Sequence, residues 1–218
     1  MSEKEPKMKW FRFSRWVCKC LCSLLLRLSI SGKENVPEKG AVLLISNHQS
    51  FLDPVLCGIL LKRPLYFLAR DTLFENRFFG RLITSINTIP VKRGEADFAA
   101  MRIIISRLQE GFGVCLFPEG TRTKDGKISQ FKPGLALLSR RGNAAIVPVA
   151  IEGAFECWPK HKKLFSLGSK IAVSYGKCLT AEQIRNMGDE ELAAHLTQTL
   201  RKMQNESRIK YGKTPFEY

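Results

Sequence analysis

Apolar positions along this chain fall into two rhythms. Apolar runs at 41–45 and 113–117 read as buried strands, and those at 65–69 and 145–151, with the mostly apolar 170–175, as further strands. A shorter run at 87–91 contains Pro90, which confines it to an edge or an irregular strand. Between the strands, apolar residues recur at three and four. This spacing predicts a short helix over 54–61 and another over 72–85, carrying Phe74, Phe78, Phe79 and Leu82. Asp97 caps a third helix, with Met101, Ile104, Ile105 and Leu108 on one face and Gly111 at its end. A fourth runs over 134–141 and closes at Gly142. Thr180-x-x-Gln183 is a capping box. A last helix, from Asp189 to about Gln204, places Leu192, Leu196, Leu200 and Met203 together. Strands alternating with helices predict a single α/β domain with a mostly parallel central sheet flanked by helices.

The N-terminal segment breaks that rhythm. Trp10, Phe13 and Trp16 alternate with Arg12, Arg15 and Lys19, and Arg27 follows. Its longest charge-free stretch, 20–26, is far short of the about 20 apolar residues that cross a bilayer. Aromatic and basic residues side by side describe an amphipathic helix lying at a membrane surface. A helix packed on the domain is the plainer alternative. No signal-peptide cleavage site is evident. The chain thus divides into a membrane-associating helical segment over 1–31 and an α/β domain over 32–218, which opens with a turn region from Gly32 to Gly40.

Charge changes the picture next. Lys and Arg number 35 against 20 acids, a net charge of +15. Such a field favours anionic partners: a lipid surface, a nucleic acid or a phosphorylated substrate. No nucleic-acid motif or basic–aromatic strand pattern accompanies it, so nucleic acid is not an expected partner. The seven cysteines include no C-x-x-C pair and read as reduced, mostly buried thiols. Cys18, Cys20 and Cys22 could bind a metal or carry acyl chains, but no histidine near them completes a metal-ligand spacing. No metal and no cofactor are expected.

Polar residues with chemical potential cluster after the strands. Asn47-His48 follows the first, Lys92-Arg93-Gly94 the third, Pro118-Glu119-Gly120-Thr121-Arg122 the next, and Glu152-Gly153 the one after. In a parallel sheet all of these are carboxyl ends and share one edge, where such sheets open to ligands. His48 and Asp53 lie five apart, which on a continuous helix would turn them about 140° from each other. They meet only if the chain turns between them. Asp53-Pro54 suits a helix start, and Ser50 with Asp53 is a competing capping box. In either register Asp53 can accept a bond from His48 Nδ1 and leave Nε2 free as a base. The bland alternative is that Asp53 only caps and His48 only packs. Lys92, Arg93 and Arg122 suit an anion, with phosphate the obvious one. Glu119 could instead pair with Arg122.

These residues resemble a known family. Asn47-His48-x-Ser50-x-x-Asp53 looks like the H-x4-D block of the glycerolipid acyltransferases, whose bacterial members acylate lysophosphatidic acid. Ile89-Pro90-Val91-Lys92-Arg93-Gly94, Phe117-Pro118-Glu119-Gly120-Thr121-Arg122 and Val147-Pro148-Val149-Ala150-Ile151 resemble the next three blocks, in order. One H-x4-D is weak; four blocks in series are specific. The resemblance implies an acyltransferase that moves an acyl chain from acyl-CoA or acyl carrier protein to the sn-2 hydroxyl of 1-acyl-sn-glycerol-3-phosphate, with no covalent intermediate. It makes His48 the general base and Asp53 its orienter. Arg93 and Arg122, with Lys92, would hold the phosphate. Asn47, Ser50, Glu119, Gly120 and Thr121 would shape the acceptor pocket, and Pro148 the acyl-donor side. Backbone N–H groups near the helix start would be oxyanion donors. The N-terminal segment is similar to the membrane-resting helix of bacterial members. That places the protein peripherally on the cytoplasmic face of the membrane, touching anionic lipid through Trp10, Arg12, Phe13, Arg15, Trp16 and Lys19. Another acceptor (glycerol-3-phosphate, another lysophospholipid or a lyso-aminolipid) is the runner-up. A non-catalytic basic binding module would explain the charge but not the ordered blocks.

Overall fold

The run at 42–46 becomes the central strand because both of its faces are apolar. In the computed structural model, which describes residues 8–91, 98–162 and 164–218 with side chains from residue 12 onward, it forms β2 (Val42–Ser46), buried throughout. Val42 and Leu44 face one layer of the core; Leu43 and Ile45 face the other. The remaining strands are β1 (Arg27–Ser31), β3 (Leu65–Arg70), β4 (Thr88–Val91), β5 (Gly113–Leu116), β6 (Ala145–Glu152) and β7 (Lys170–Tyr175), in one seven-stranded sheet ordered β1-β7-β6-β2-β5-β3-β4. The five strands from β6 to β4 are mutually parallel. β7 runs antiparallel to β6, and β1 is parallel to β7. The single α/β domain with a mostly parallel sheet is therefore as the pattern predicts. β4 is the edge strand that Pro90 requires.

Helices cover both faces. On one side α2 (Asp53–Gly58) contributes Leu56 and Cys57, α6 (Ala154–Cys157) contributes Ala154 and Cys157, and α1 (Met8–Leu25) contributes Cys22, all buried in one layer with Val42, Leu44, Val147 and Val149. On the other side lie α4 (Phe98–Gln109), α5 (Leu135–Gly142), α7 (Ala181–Arg185) and α8 (Asp189–Lys210), packed on Leu43, Ile45, Val114 and Ile146. Each fully buried leucine or isoleucine stabilises the fold by roughly 1.5–3 kcal/mol. The Thr180 capping box forms: Gln183 N–H donates to Thr180 Oγ1 at 3.2 Å and Thr180 N–H to Gln183 Oε1 at 2.8 Å.

Three expectations need correction. The 1–31 segment is not separate from the domain, because β1 joins the sheet through Leu28 opposite Ile171 and Ile30 opposite Val173. A five-residue strand with only two apolar positions leaves little periodicity to read. The helix expected over 72–85 is broken into a 3₁₀ turn (Asp71–Phe74) and α3 (Arg77–Ser85). Asn76 caps α3 by accepting from Phe78 N–H and Phe79 N–H, and a Cβ on Gly80 would sit 2.7 Å from the Phe74 carbonyl oxygen, so only glycine lets the two pieces touch. Phe78, Phe79 and Leu82 are exposed. Finally, α8 runs six residues past Gln204, to Lys210. Its last buried positions, Gln204 and Ser207, are polar, so apolar spacing stops before the helix does.

Candidate active site

β2 delivers Ser46 to the carboxyl edge of the sheet, and the chain then turns back on itself before α2. Asp53, wholly buried, organises that turn. Its Oδ2 accepts from Gln49 N–H at 2.6 Å, from Ser50 N–H at 2.7 Å and from His48 Nδ1 at 2.7 Å. Ser50 Oγ accepts from Leu52 N–H at 3.2 Å and donates to the Trp158 carbonyl at 2.9 Å. α2 itself begins at Asp53 after Leu52 with no side-chain cap, so neither expected capping register forms; the Asp53 carboxylate oxygen that closes the preceding turn also holds the histidine. A carboxylate only accepts, so His48 carries its proton on Nδ1 and presents Nε2 as an acceptor.

The imidazole is held on other sides too. Its ring stacks on Phe117 with centroids 4.3 Å apart. His48 N–H donates to Glu119 Oε1 at 3.0 Å, and the His48 carbonyl accepts from Thr123 N–H at 2.8 Å. The loop after β5 therefore grips the turn after β2 through both backbone and side chain. Among the described residues nothing bonds Nε2, and the side chain keeps 21% of its surface exposed.

Electrostatics follow from burial. Removal from water pushes the Asp53 carboxyl above its ordinary value, while His48 and the two N–H donors pull the other way. Glu119 is raised for the same reason, opposed by His48 N–H and by Ser129, whose hydroxyl donates to Oε2. Burial lowers the Arg122 guanidinium, with Asp53 opposing and the neighbouring Arg70 adding to the fall. Arg122 lies over Phe51, its Cζ 3.4 Å from the ring centroid, and its buried Nη1 has no partner among the described residues. A buried guanidinium nitrogen without an acceptor, beside a second cation, is a place for an anion.

The sequence-predicted residues divide three ways. His48, Asp53, Glu119, Gly120, Thr121 and Arg122 are brought together. Gly120 and Thr121 are exposed, and Gly120 has φ +63°, which favours glycine. Lys92 and Arg93 lie outside the described residues, as does the side chain of Trp10. Others are placed elsewhere or engaged. Asn47 is not an acceptor-pocket group: its Oδ1 accepts from Ile151 N–H at 2.8 Å and its Nδ2 donates to the Ile151 carbonyl at 2.9 Å, stapling β2 to β6. Ser50 is likewise buried and fully engaged. Pro148 is buried in β6, where a Cβ on Gly176 would touch both it and Met203 of α8. Glu119 does not pair with Arg122. The helix-start N–H groups of Gln49, Ser50 and Leu52 are occupied, so they are not oxyanion donors. Glu152 is structural: Arg208, Lys213 and Gln204 all bond its buried carboxylate.

Sequence reasoning missed Arg70, Phe51 and the stacking role of Phe117. Arg70 is the last residue of β3, so the edge rule that found Arg122 could have found it. Of the expected membrane residues, Arg12, Phe13, Trp16 and Lys19 are exposed on α1, with Phe13 54% and Trp16 62% accessible. Arg15 instead turns inward and donates to the Leu61 carbonyl. No helix among the described residues is long and apolar enough to cross a membrane.

A histidine paired with a buried acid thus sits at the carboxyl edge of the parallel sheet, with Arg122 and Arg70 nearby. A model of the Acyltransferase family matches residues 27–152, and the chain belongs to that family. It is 27% identical over 191 residues to the 1-acyl-sn-glycerol-3-phosphate acyltransferase of Bacillus subtilis, covering 87% of this chain and 92% of that protein. It is 29% identical over 154 residues to the enzyme of the same name from Pseudomonas aeruginosa, covering 69% of this chain and 58% of that one. The chloroplastic relative from Arabidopsis thaliana is 28% identical, with only 43% of its length matched. In fold the chain is similar to the crystal structure of the 1-acyl-sn-glycerophosphate (LPA) acyltransferase PlsC from Thermotoga maritima, with a TM-score of 0.81 over 95% of this chain and 84% of that one at 23% identity.

Proposed function

We propose that the protein is a 1-acyl-sn-glycerol-3-phosphate O-acyltransferase that makes phosphatidic acid from lysophosphatidic acid and an acyl thioester. The observation that carries this is the 2.7 Å contact between His48 Nδ1 and Asp53, with Nε2 unbonded and Arg122 Nη1 buried without an acceptor nearby. The acceptor's sn-2 hydroxyl donates to His48 Nε2 while its phosphate rests against Arg122 and Arg70. His48 takes the hydroxyl proton as the oxygen attacks the thioester carbonyl. Asp53 stabilises the imidazolium through the bond it already makes. The tetrahedral intermediate collapses, the carbon–sulfur bond breaks, and His48 returns the proton to the departing thiolate. The base regains its starting state, and no acyl group is held on the protein. No cofactor is needed; acyl-CoA or acyl carrier protein is the co-substrate. The relatives' printed names and the ordered site support the acceptor assignment.

The exposed side of α1 supports a peripheral membrane location on the cytoplasmic face. Arg12, Phe13, Trp16 and Lys19 suit an anionic headgroup layer, and the net charge of +15 draws the protein to it.

Purified protein given an acyl-CoA or acyl carrier protein and lysophosphatidic acid should release free thiol and form phosphatidic acid in equal amounts. Arg122→Ala should raise KM for lysophosphatidic acid by roughly 10–100-fold, the worth of a charge-assisted pair. The same change should leave acceptors without phosphate unaffected. Equal loss on both acceptor types would remove Arg122 from phosphate binding.

A further inference from the structure

The segment from Trp158 to Ser169 lies outside the four sequence blocks, yet it joins α1 to the active site. At one end, Trp158 meets the Phe51 ring at 5.1 Å, and its carbonyl accepts from Ser50 Oγ. At the other end, Gly168 N–H donates to the Leu25 carbonyl at the close of α1, and Arg27 N–H donates to the Ser169 carbonyl. Between these ends its described residues, all but residue 163, are fastened to one another. Trp158 Nε1 donates to the Lys162 carbonyl at 3.1 Å, Ser166 N–H to the Cys157 carbonyl at 2.9 Å, and the Phe165 ring packs at 5.7 Å from Trp158.

A loop so well bonded should turn its aliphatic residues inward. It does the reverse: Leu164 is 82% and Leu167 is 69% exposed. Exposed cations stand beside them, Lys160 and Lys162 before and Lys170 after. Leu24, 81% exposed, lies one residue from the Leu25 carbonyl that anchors Gly168, so the apolar tips continue the exposed apolar side of α1. Aliphatic tips with lysines and a tryptophan behind them match the order of layers in a bilayer: hydrocarbon, then anionic headgroups.

We propose that this segment is a second bilayer-contacting element, which inserts Leu164 and Leu167 into the surface of an anionic membrane beside α1. It extends the reading of the protein as an enzyme acting on a membrane lipid. Phe51, 48% exposed, carries Arg122 on its ring and touches Trp158, so the inserted loop borders the anion-binding side of the site.

The test uses the full chain and vesicles of phosphatidylglycerol or of phosphatidylcholine, without substrate, scored by co-sedimentation. Leu164→Ser/Leu167→Ser should keep the wild-type thermal midpoint, because both side chains are exposed, and should weaken binding to phosphatidylglycerol vesicles by about tenfold or more. Lys160→Glu/Lys162→Glu should reduce the preference for phosphatidylglycerol over phosphatidylcholine. Binding of the leucine variant within about twofold of wild type would overturn the proposal, as would an unchanged lipid preference in the lysine variant. These readouts require no turnover, so they are independent of the acceptor assignment. In a parallel activity assay, the leucine variant should lose more rate with vesicle-embedded acceptor than with a short-chain monomeric one. Equal losses would show that the loop serves the site rather than the surface.

Discussion

Asp53 is completely buried, and its carboxylate must hold three donors while surrounded by apolar neighbours such as Cys115. Burial raises its carboxyl above the ordinary range. An acid raised in the folded state binds protons more tightly folded than unfolded, so its contribution to stability falls as pH rises through that window. The site therefore sacrifices stability for an oriented base. Asp53→Asn keeps an acceptor for Gln49 and Ser50 N–H but removes the buried charge. Its thermal midpoint should equal or exceed that of wild type at neutral pH, with the difference closing toward acid, while kcat falls by roughly 10²–10⁴-fold. Calorimetry from acid to neutral pH, set beside a rate assay, checks both parts. At this scale His48, Asp53 and Arg122 were legible from residue type and spacing. The roles of Asn47 and Ser50 were not, because an amide that staples two strands and an amide that binds a ligand look the same in sequence. Phe117 was visible as part of a block, but its stacking on His48 depends on how two loops meet.

At the scale of elements, α1 shows why a helix can defeat a choice between two readings. It was expected to lie on a membrane or to pack on the domain, and its residues support each on a different side. Cys22 is buried, Cys18 and Leu25 pack against the core, and Arg15 holds the Leu61 carbonyl. Phe13, Trp16 and Lys19 face outward. Phe13→Ser/Trp16→Ser should leave the thermal midpoint unchanged and weaken vesicle binding several-fold. Removing residues 1–25 should instead uncover the layer around Val42 and Leu44 and give an unstable, aggregating protein. Circular dichroism melts of both variants separate these outcomes. The strand β1 escaped notice because its signal was two apolar residues. The end of α8 escaped notice because buried Gln204 and half-buried Arg208 are held there by polar contacts with Glu152.

For the whole molecule, the decisive feature is that five parallel strands end on one edge. Their order, not their number, puts β2 between β5 and β6, so that His48 meets Glu119 on one side and Asn47 meets Ile151 on the other. The alternating apolar pattern gave the parallel sheet, and the parallel sheet gave the shared edge. The reversal of β7 carried no signal, since a short buried strand reads the same in either direction. That same edge is tied to the far end of the chain by the Glu152 cluster. Glu152→Ala would leave Arg208, 12% exposed, beside a vacated buried site, and should cost about 3–5 kcal/mol of stability by chemical denaturation.

The claim that joins these scales is that His48, oriented by Asp53, is the base for acyl transfer to a lysophospholipid hydroxyl. The most direct measurement is acceptor-dependent thiol release from an acyl thioester by folded wild type and folded His48→Ala, followed on one protein preparation. Wild type should release thiol only when lysophosphatidic acid is present, and His48→Ala should be slower by about 10³-fold or more with an unchanged thermal midpoint. A folded His48→Ala protein that transfers acyl groups at a rate near wild type would contradict the account.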